Sequence, residues 1–268
     1  MATPVTVPEL RNRKAGHGEV PLVMITAYDA PSARIADTAG VDIILVGDSA
    51  ASTVHGQPDT LHITMDQMVS HVAAVAGTQP RPLVVADMPW LSYHLDTAET
   101  IRNGARFVRA GAQAVKLEGG LARIPMIRAL IETEIPVMGH LGLTPQSVNA
   151  FGGYKVQGRE ASVAARIVEE AIALADAGCF AIVLEAVPNS LAGRITSEVP
   201  VPTIGIGAGP ACDGQVIVFH DLLGLSGRVP KFVRKYADLE KVARDGVARW
   251  ASDVREGNYP SDGESYGG

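Results

Sequence analysis

The sequence predicts an α/β protein that folds as a single (β/α)₈ TIM barrel. Short apolar segments rich in β-branched residues alternate with amphipathic helical segments, eight such strand segments occur, and several of them end on a charged residue. The length of 268 residues suits one barrel domain, since such domains typically need about 250 residues. An open doubly wound sheet is the alternative, but charged residues on many different strands favour the closed barrel.

Predicted strands and helices alternate along nearly the whole chain. We expect strands at about 22–27, 42–47, 82–87, 113–117, 136–140, 180–185, 202–206 and 215–219. We expect helices at about 30–39, 64–76, 97–110, 121–133, 160–177 and 188–197, and a last amphipathic helix at about 238–256 followed by a short mobile tail. Gly40, Gly111 and Gly178 each follow an alanine just before a strand, which is typical of helix ends. Strict alternation predicts a parallel sheet.

Composition and charge argue against several classes of protein. A net charge of −6 and a pI near 5.6 provide no basic surface for nucleic acid or acidic membranes. The N-terminal segment MATPVTVPELRNRKAGHGE lacks the apolar core of a signal peptide, and no long apolar run follows. Two cysteines, Cys179 and Cys212, fit free thiols in a reducing compartment. We therefore expect a cytoplasmic protein without nucleic-acid or membrane partners.

Four of the apolar segments end on an acidic residue. The sequences LVGDS, VVADMP, VKLEGG and VLEAVP place Asp48, Asp87, Glu118 and Glu185 at these ends. Because the carboxyl ends of parallel strands meet at one mouth of a barrel, we expect the four side chains to converge there. Converging carboxylates repel one another unless a cation lies among them. Oxygen donors without a nearby cysteine suit Mg²⁺ or Mn²⁺ better than Zn²⁺, so the sequence predicts a metal site.

Alternatives remain open for these acids and for the lysine beside them. One or two of the acids could cap a following helix or pair with Arg81 or Arg123. Lys116 lies two residues before Glu118, so both side chains point to the same face of the strand. A buried lysine is costly unless it meets an anion. That anion is either a substrate carboxylate, or Glu118 or another partner from a neighbouring strand.

Glu185 and His140 are the candidates for moving a proton. Glu185 follows four apolar residues, so its charged form is poorly solvated, which suits a general base. A plain salt bridge is the alternative role for Glu185. His140 ends the fifth predicted strand and has either a substrate-related role or that of a hydrogen-bonded core histidine. The glycine-rich segment from Thr203 to Pro210 lacks the full spacing of a nucleotide-binding motif, which favours tight packing over phosphate binding.

Several longer motifs resemble one enzyme family. LVGDSA, VVADMPWLSY, AVKLEGG, VMGHLGLTPQSV, GGYKVQGR, FAIVLEAVP and PTIGIGAG are similar to the ketopantoate (3-methyl-2-oxobutanoate) hydroxymethyltransferase family, over residues 24 to 225 approximately. The resemblance implies a barrel of the phosphoenolpyruvate/pyruvate type and a homodecamer. It also implies transfer of a hydroxymethyl group from 5,10-methylenetetrahydrofolate to 3-methyl-2-oxobutanoate, giving 2-dehydropantoate in pantothenate and coenzyme A biosynthesis, with one Mg²⁺ per subunit.

The resemblance also implies roles for individual residues. The residues that match the family's Mg²⁺ ligands are Asp48, Asp87 and Glu118. Those matching its contacts to the 2-oxo acid are Asp48, Ser49, Asp87 and Lys116. Glu185 matches its proton acceptor. The metal and base roles agree with those argued from strand position.

Two rival functions use the same barrel. One is a Mg²⁺-dependent carbon–carbon lyase or phosphonate mutase of the isocitrate lyase type. Such enzymes carry a nucleophilic cysteine or an acid-rich loop after the fourth strand, where this chain has Gly119 and Gly120. The other is a catalytically silent barrel that binds a 2-oxo acid, which would have no need for a base such as Glu185.

Overall fold

The computed structural model describes residues 3–14, 20–227 and 229–267, so the N-terminal segment and the tail discussed above lie partly outside the described residues. The chain divides into two compact units, Met1–Phe219 and His220–Gly268. Over the described residues, the strands β1 to β8 are Leu22–Thr26, Ile43–Val46, Leu83–Asp87, Ala114–Glu118, Val137–Gly142, Ala181–Glu185, Thr203–Ile206 and Gly214–Ile217. Each strand pairs in parallel with the next, and β8 pairs with β1. The predicted closed barrel is confirmed.

Helices lie between the strands as predicted. The helices α1 to α11 are Val7–Asn12, Ala30–Thr38, Ala50–Thr53, Met65–Ala76, Thr97–Arg109, Ile124–Glu132, Val148–Phe151, Ala161–Asp176, Asn189–Glu198, Phe219–Leu222 and Leu239–Glu256. The helix expected at about 121–133 begins as a 3₁₀ turn, Leu121–Arg123, before α6. The strand expected at 215–219 ends earlier, at Ile217, and Phe219 begins α10, where its N–H donates to the side-chain hydroxyl of Thr26 in β1 (3.0 Å).

Local sequence explains where the main helices begin and end. The side chain of Asp96 accepts a hydrogen bond from the Glu99 N–H (2.7 Å) and so caps the start of α5. Gly40, Gly111 and Gly178 have φ angles of 80°, 107° and 104°. Glycine adopts this backbone region at little cost, which confirms the expected Ala-Gly turns from helix to strand.

The interior of the barrel changes from apolar to charged along the strands. Inward-facing residues such as Met24, Ile43, Val85 and Ile204 form the apolar core with Leu10 of α1. Successive inward positions lie two residues apart. On four strands these positions continue from Val85 to Asp87, from Ala114 to Lys116 and Glu118, from Met138 to His140, and from Val183 to Glu185. The charged layer therefore lies at the C-terminal mouth of the barrel, on top of the apolar core.

The second unit contains α11, a helix with an exposed apolar face. Asp238 accepts a hydrogen bond from the Lys241 N–H (3.2 Å) at its start, and Gly257 ends it with a φ of 75°. Val247, Trp250 and Val254 lie on one side of this helix and are 63%, 54% and 44% exposed. The tail beyond α11 contains a 3₁₀ turn, Asp262–Glu264. No helix in the described ranges is long and apolar enough to cross a membrane.

Candidate active site

The pairing of the strands brings the predicted site residues together. Asp87 on β3 is the register partner of Lys116 on β4, and Glu118 is the partner of His140 on β5. Register partners on parallel strands point to the same side of the sheet. One cavity of about 110 Å³ at the mouth is lined by the predicted residues Asp48, Ser49, Asp87, Lys116, Glu118, His140 and Glu185. The structure thus brings every predicted site residue to one place.

Lys116 is buried among carboxylates. Its Nζ lies 2.6 Å from Asp87 Oδ1 and 4.0 Å from Glu118 Oε1. Burial lowers the pKa of Lys116, but the charges of Asp87 and Glu118 outweigh that effect and raise the pKa above its usual value. The lysine therefore remains a cation. Asp87 on the neighbouring strand β3 is thus a protein partner for Lys116, as one of the two alternatives required. Contact between Lys116 and a substrate carboxylate stays a prediction.

The three acids nearest this lysine have unequal proton affinities. Burial and the charges of Asp87 and Glu118 raise the pKa of Asp48 well above its usual value. Burial also raises the pKa of Asp87, although Lys116 opposes the effect. Burial acts in the same direction on Glu118, but its contacts with His140, Lys116 and the Gln146 N–H together outweigh burial and lower the pKa of Glu118. The three acids therefore do not ionise over the same pH range, and Glu118 ionises most readily.

His140 lies between Glu118 and Glu185. Its Nδ1 lies 3.4 Å from Glu118 Oε1 and 3.3 Å from Lys116 Nζ, and its Nε2 lies 3.2 Å from Glu185 Oε2. Burial and Lys116 lower the pKa of His140, but the two glutamates outweigh them and raise it to about 9. Both ring nitrogens then carry protons near neutral pH, and each faces a carboxylate. His140 is buried and also lines the cavity, so the choice between its two expected roles stays a prediction.

The two arginines expected as alternative partners of the acids contact other groups, and the helix-cap role does not apply to Asp48. Arg81 donates to the carbonyl of Val41 (2.5 Å). The guanidinium of Arg123 lies 5.8 Å from the centre of the Tyr93 ring. Asp48 precedes α3, but its carboxylate accepts a hydrogen bond from the side chain of Gln146 (2.8 Å). Asp48 is therefore bound within the charged layer and does not serve as a helix cap.

Three polar residues of the site were not predicted from the sequence. Gln146 donates to two of the acids, through its side chain to Asp48 (2.8 Å) and through its backbone N–H to Glu118 (3.0 Å). The Tyr93 hydroxyl contacts Gln146, and the Tyr28 hydroxyl lies 2.8 Å from Ser49 Oγ. Tyr93 and Gln146 lie in stretches after β3 and β5, inside motifs of the family resemblance. The family motifs could have drawn attention to Tyr93 and Gln146, but the motifs alone gave neither residue a role.

The fit of a divalent cation depends on the oxygen atoms of the acids. In the part of the chain that the structure describes, no three His, Cys, Asp or Glu side chains are already arranged as ligands around one point. However, Asp87 Oδ1 and Glu118 Oε1 are buried and have no aligned hydrogen bond, although Lys116 and His140 lie close to them. Buried carboxylate oxygens whose near neighbours are cations, next to a third acid, fit an oxygen-seeking cation such as Mg²⁺.

Solved structures define the class of this fold. One is 2,3-dimethylmalate lyase, a PEP mutase/isocitrate lyase superfamily member, with a TM-score of 0.59, 20% identity, and coverage of 99% of this chain and 93% of that chain. Another is phosphoenolpyruvate phosphomutase from Streptomyces platensis subsp. rosaceus, with a TM-score of 0.61, 16% identity and coverage of 94% and 88%. The chain is thus an α/β barrel with the fold of the PEP mutase/isocitrate lyase superfamily.

The sequence comparisons identify the family within this class. Residues 4–262 match ketopantoate hydroxymethyltransferase. The chain is 56% identical over 262 residues to 3-methyl-2-oxobutanoate hydroxymethyltransferase of Methylobacterium sp. (strain 4-46), covering 97% of this chain and 90% of that protein. It is 49% identical over 268 residues to the enzyme of the same name from Pelobacter propionicus, covering 99% and 98%. The chain belongs to the ketopantoate hydroxymethyltransferase family, which confirms the resemblance in its motifs.

Proposed function

We propose that this chain transfers a hydroxymethyl group from 5,10-methylenetetrahydrofolate to 3-methyl-2-oxobutanoate. The products are 2-dehydropantoate, an intermediate of pantothenate and coenzyme A biosynthesis, and tetrahydrofolate, and one water molecule is consumed. The observation that carries the proposal is the set of buried acids, lysine and histidine around one cavity, in a chain 56% identical to 3-methyl-2-oxobutanoate hydroxymethyltransferase. The rival lyase and mutase functions rest on solved structures with 16–20% identity, which share the fold alone.

Asp48, Asp87 and Glu118 would hold one Mg²⁺ per subunit. The support lies in their oxygen donors, in their burial, and in the two carboxylate oxygens that have no aligned hydrogen bond. When bound there, the cation would supply positive charge that stabilises the negative charge developing on the oxo acid.

Lys116 and Ser49 bind the 2-oxo acid in this proposal. Lys116 remains a cation at the bottom of the cavity, where a substrate carboxylate would share its charge with Asp87. A charge-assisted contact in a buried site is stronger than one in water. The hydroxyl of Ser49 is held by the buried Tyr28 (2.8 Å) and lines the same cavity. Together they orient the oxo acid so that its third carbon faces the remaining acid, Glu185.

Glu185 is the general base. Its side chain is 17% exposed, whereas the side chains of Glu118 and His140 are each 3% exposed, so a substrate can reach it more easily. Glu185 takes the proton from the third carbon of the oxo acid, and the electrons of that C–H bond move toward the 2-oxo group. The resulting carbon nucleophile attacks the methylene carbon of the folate, and one C–N bond breaks as the C–C bond forms. Water supplies the hydroxyl group as the second C–N bond breaks. Tetrahydrofolate leaves with one proton from Glu185 and one from that water molecule. His140 contacts Glu185 (3.2 Å) and orients its carboxylate.

The homodecamer and the cytoplasmic location belong to the same proposal. The apolar face of α11, with Val247, Trp250 and Val254 exposed, supports self-association because monomers rarely expose such a face. The free thiols of Cys179 and Cys212 support a reducing compartment. Light scattering coupled to size exclusion measures the mass directly, and the proposal requires ten copies of the 28.1 kDa chain.

Product formation tests the proposed reaction. Purified protein is incubated with Mg²⁺, 3-methyl-2-oxobutanoate and 5,10-methylenetetrahydrofolate, and 2-dehydropantoate is measured by mass spectrometry. We expect the product to form, and to stop forming when Mg²⁺ is removed by a chelator. Absence of product, combined with cleavage of a carbon–carbon bond in a 2-hydroxy or 2-alkyl malate, would instead support the rival lyase.

A further inference from the structure

Gln146 connects two acids that belong to different strands. Its side-chain Nε2 donates to Asp48 Oδ2 (2.8 Å) and to the carbonyl of Met88 (2.9 Å), so both hydrogens of the amide are used. Its backbone N–H donates to Glu118 Oε2 (3.0 Å). The residue is 6% exposed. One buried glutamine thus binds one oxygen of Asp48 and one oxygen of Glu118 at the same time.

Tyr93 and the carbonyl of Met88 together fix which way the amide of Gln146 faces. The backbone N–H of Glu118 donates to the Tyr93 hydroxyl (3.1 Å), and that hydroxyl donates to Gln146 Oε1 (2.6 Å). Because the single hydroxyl hydrogen is directed to Oε1, the amide must present its NH₂ group to Asp48. The reversed amide would place a carbonyl oxygen against a carboxylate oxygen. Tyr93 is 1% exposed, so water does not compete for these contacts.

The hydrogen bonds from Gln146 use only one carboxylate oxygen of each of the two acids. The hydrogen bonds from Gln146 engage Oδ2 of Asp48 and Oε2 of Glu118. Glu118 Oε1 is buried and carries no aligned hydrogen bond. Residues that hydrogen-bond to metal ligands orient them, and changing such residues typically lowers metal affinity about 10–100-fold.

We propose that Gln146 is a positioning residue that fixes Asp48 and Glu118 for the binding of a divalent cation, and that Tyr93 acts through Gln146. The inference rests on the metal site of the proposed function. A purely structural role would require only that Gln146 satisfies the backbone and packs. The two roles differ in their effect on the affinity of the folded protein for Mg²⁺.

The experiment compares Mg²⁺ affinity with stability in four variants. Calorimetric titration of Mg²⁺ is carried out on the purified protein and on Gln146→Met, Tyr93→Phe, the double variant and Gln113→Met. Gln113 is the control, because it is a glutamine whose side chain also hydrogen-bonds to the backbone, accepting from the Val84 N–H (2.8 Å), but it lies before β4 begins and contacts none of the three acids in this way. Thermal unfolding in the presence of a chelator is recorded for each, which separates loss of affinity from loss of fold.

We expect Gln146→Met to weaken Mg²⁺ binding by at least about tenfold and Tyr93→Phe to weaken it by less. The double variant should bind no more weakly than Gln146→Met, because Tyr93 acts through Gln146. Gln113→Met should bind Mg²⁺ as the unchanged protein does. Tyr93→Phe keeps the aromatic packing and carries the test if Gln146→Met does not fold.

Distinct outcomes overturn distinct parts of the inference. Unchanged affinity in folded Gln146→Met, or in Tyr93→Phe if only that variant folds, overturns the positioning role. Equal losses in Gln146→Met and Gln113→Met show a structural effect and overturn it as well. Additive losses in the double variant overturn the action of Tyr93 through Gln146. If the unchanged protein itself binds no Mg²⁺, the metal site of the proposed function fails, and this inference fails with it.

Discussion

Acids at the two ends of the barrel are bound in different ways. At the N-terminal end, before β8 begins, Asp213 Oδ2 accepts hydrogen bonds from the N–H of Thr203 (2.7 Å) and its hydroxyl (3.1 Å), and lies 2.8 Å from Lys14 Nζ. Asp42, before β2, is bound in the same manner by Arg13 (2.5 Å) and by the N–H of Val23 (2.8 Å). Each of these acids has its own cation and at least one backbone donor.

At the C-terminal mouth, three acids share their cations. Asp48, Asp87 and Glu118 surround Lys116, and oxygens of Asp87 and Glu118 lack an aligned hydrogen bond. A buried charge without complete compensation costs stability. Where such groups persist in a cavity, binding or catalysis is the usual reason. The comparison teaches that the sharing of cations, and not burial alone, distinguishes the acids of the mouth from the acids at the N-terminal end.

Replacement of the base should have the largest effect at the mouth. Glu185→Gln keeps the shape of the side chain but cannot accept the proton from the third carbon of the oxo acid. We expect proton exchange at that carbon to slow by about 10²–10⁴-fold, with Mg²⁺ affinity nearly unchanged. Deuterium uptake into 3-methyl-2-oxobutanoate, followed by NMR with saturating Mg²⁺, measures this step without folate. Exchange at the original rate would assign the base to another group.

Removal of the shared cation should affect one substrate selectively. In Lys116→Met the oxo acid loses a charged partner, and such a hydrogen bond contributes about 1.5–3 kcal/mol. We therefore expect the KM for 3-methyl-2-oxobutanoate to rise about tenfold or more, and the KM for 5,10-methylenetetrahydrofolate to change much less. Steady-state kinetics with each substrate varied in turn provides the comparison. Equal changes in both KM values would favour a purely structural ion pair with Asp87.

An acid at the opposite end should affect stability and leave chemistry intact. Asp213→Asn removes the negative charge that binds Lys14 and the backbone of β7, so we expect the free energy of unfolding to fall by about 2 kcal/mol. The rate of product formation by the folded variant should equal that of the unchanged protein. Urea unfolding and a product assay are the two measurements. A variant that keeps its stability and loses activity would remove the distinction between the two ends.

Acidification should weaken the effect of Mg²⁺ on stability, and this is the smallest expected change. The pKa values of Asp48 and Asp87 are raised by burial above the ordinary value of 3.8. In metal-free protein, their contribution to stability is therefore complete below pH 3.8 and is lost as the pH rises through the raised values. Because Mg²⁺ needs ionised carboxylates, the increase in Tm on adding Mg²⁺ should shrink as the pH falls through that window. If the increase in Tm on adding Mg²⁺ stays constant across this pH range, the cation is bound by other groups.

The barrel and the mouth acids could be predicted because their signals are local. Strand segments end where Asp87, Glu118 and Glu185 stand, and a period of two residues places Lys116 and His140 on the same inward side. The end of β8 was predicted two residues too late, because Val218 and Phe219 continue the apolar pattern of the strand although α10 already begins at Phe219.

The network that holds the acids could not be predicted in the same way. Tyr93 and Gln146 lie in connecting segments, where no period relates sequence position to direction. Tertiary packing alone brings the segment after β3 against the 3₁₀ turn Pro145–Ser147 after β5. Family motifs contained both residues, but a motif does not state which atom a side chain contacts.

Calorimetric Mg²⁺ titration of Asp87→Asn beside Asp213→Asn tests the central distinction most directly. Loss of a ligand acid at the mouth should weaken binding at least tenfold, about 1.4 kcal/mol. Asp213→Asn should bind Mg²⁺ with the original affinity despite its lower stability. Equal affinities in both variants, or a weaker affinity in Asp213→Asn alone, would contradict the account.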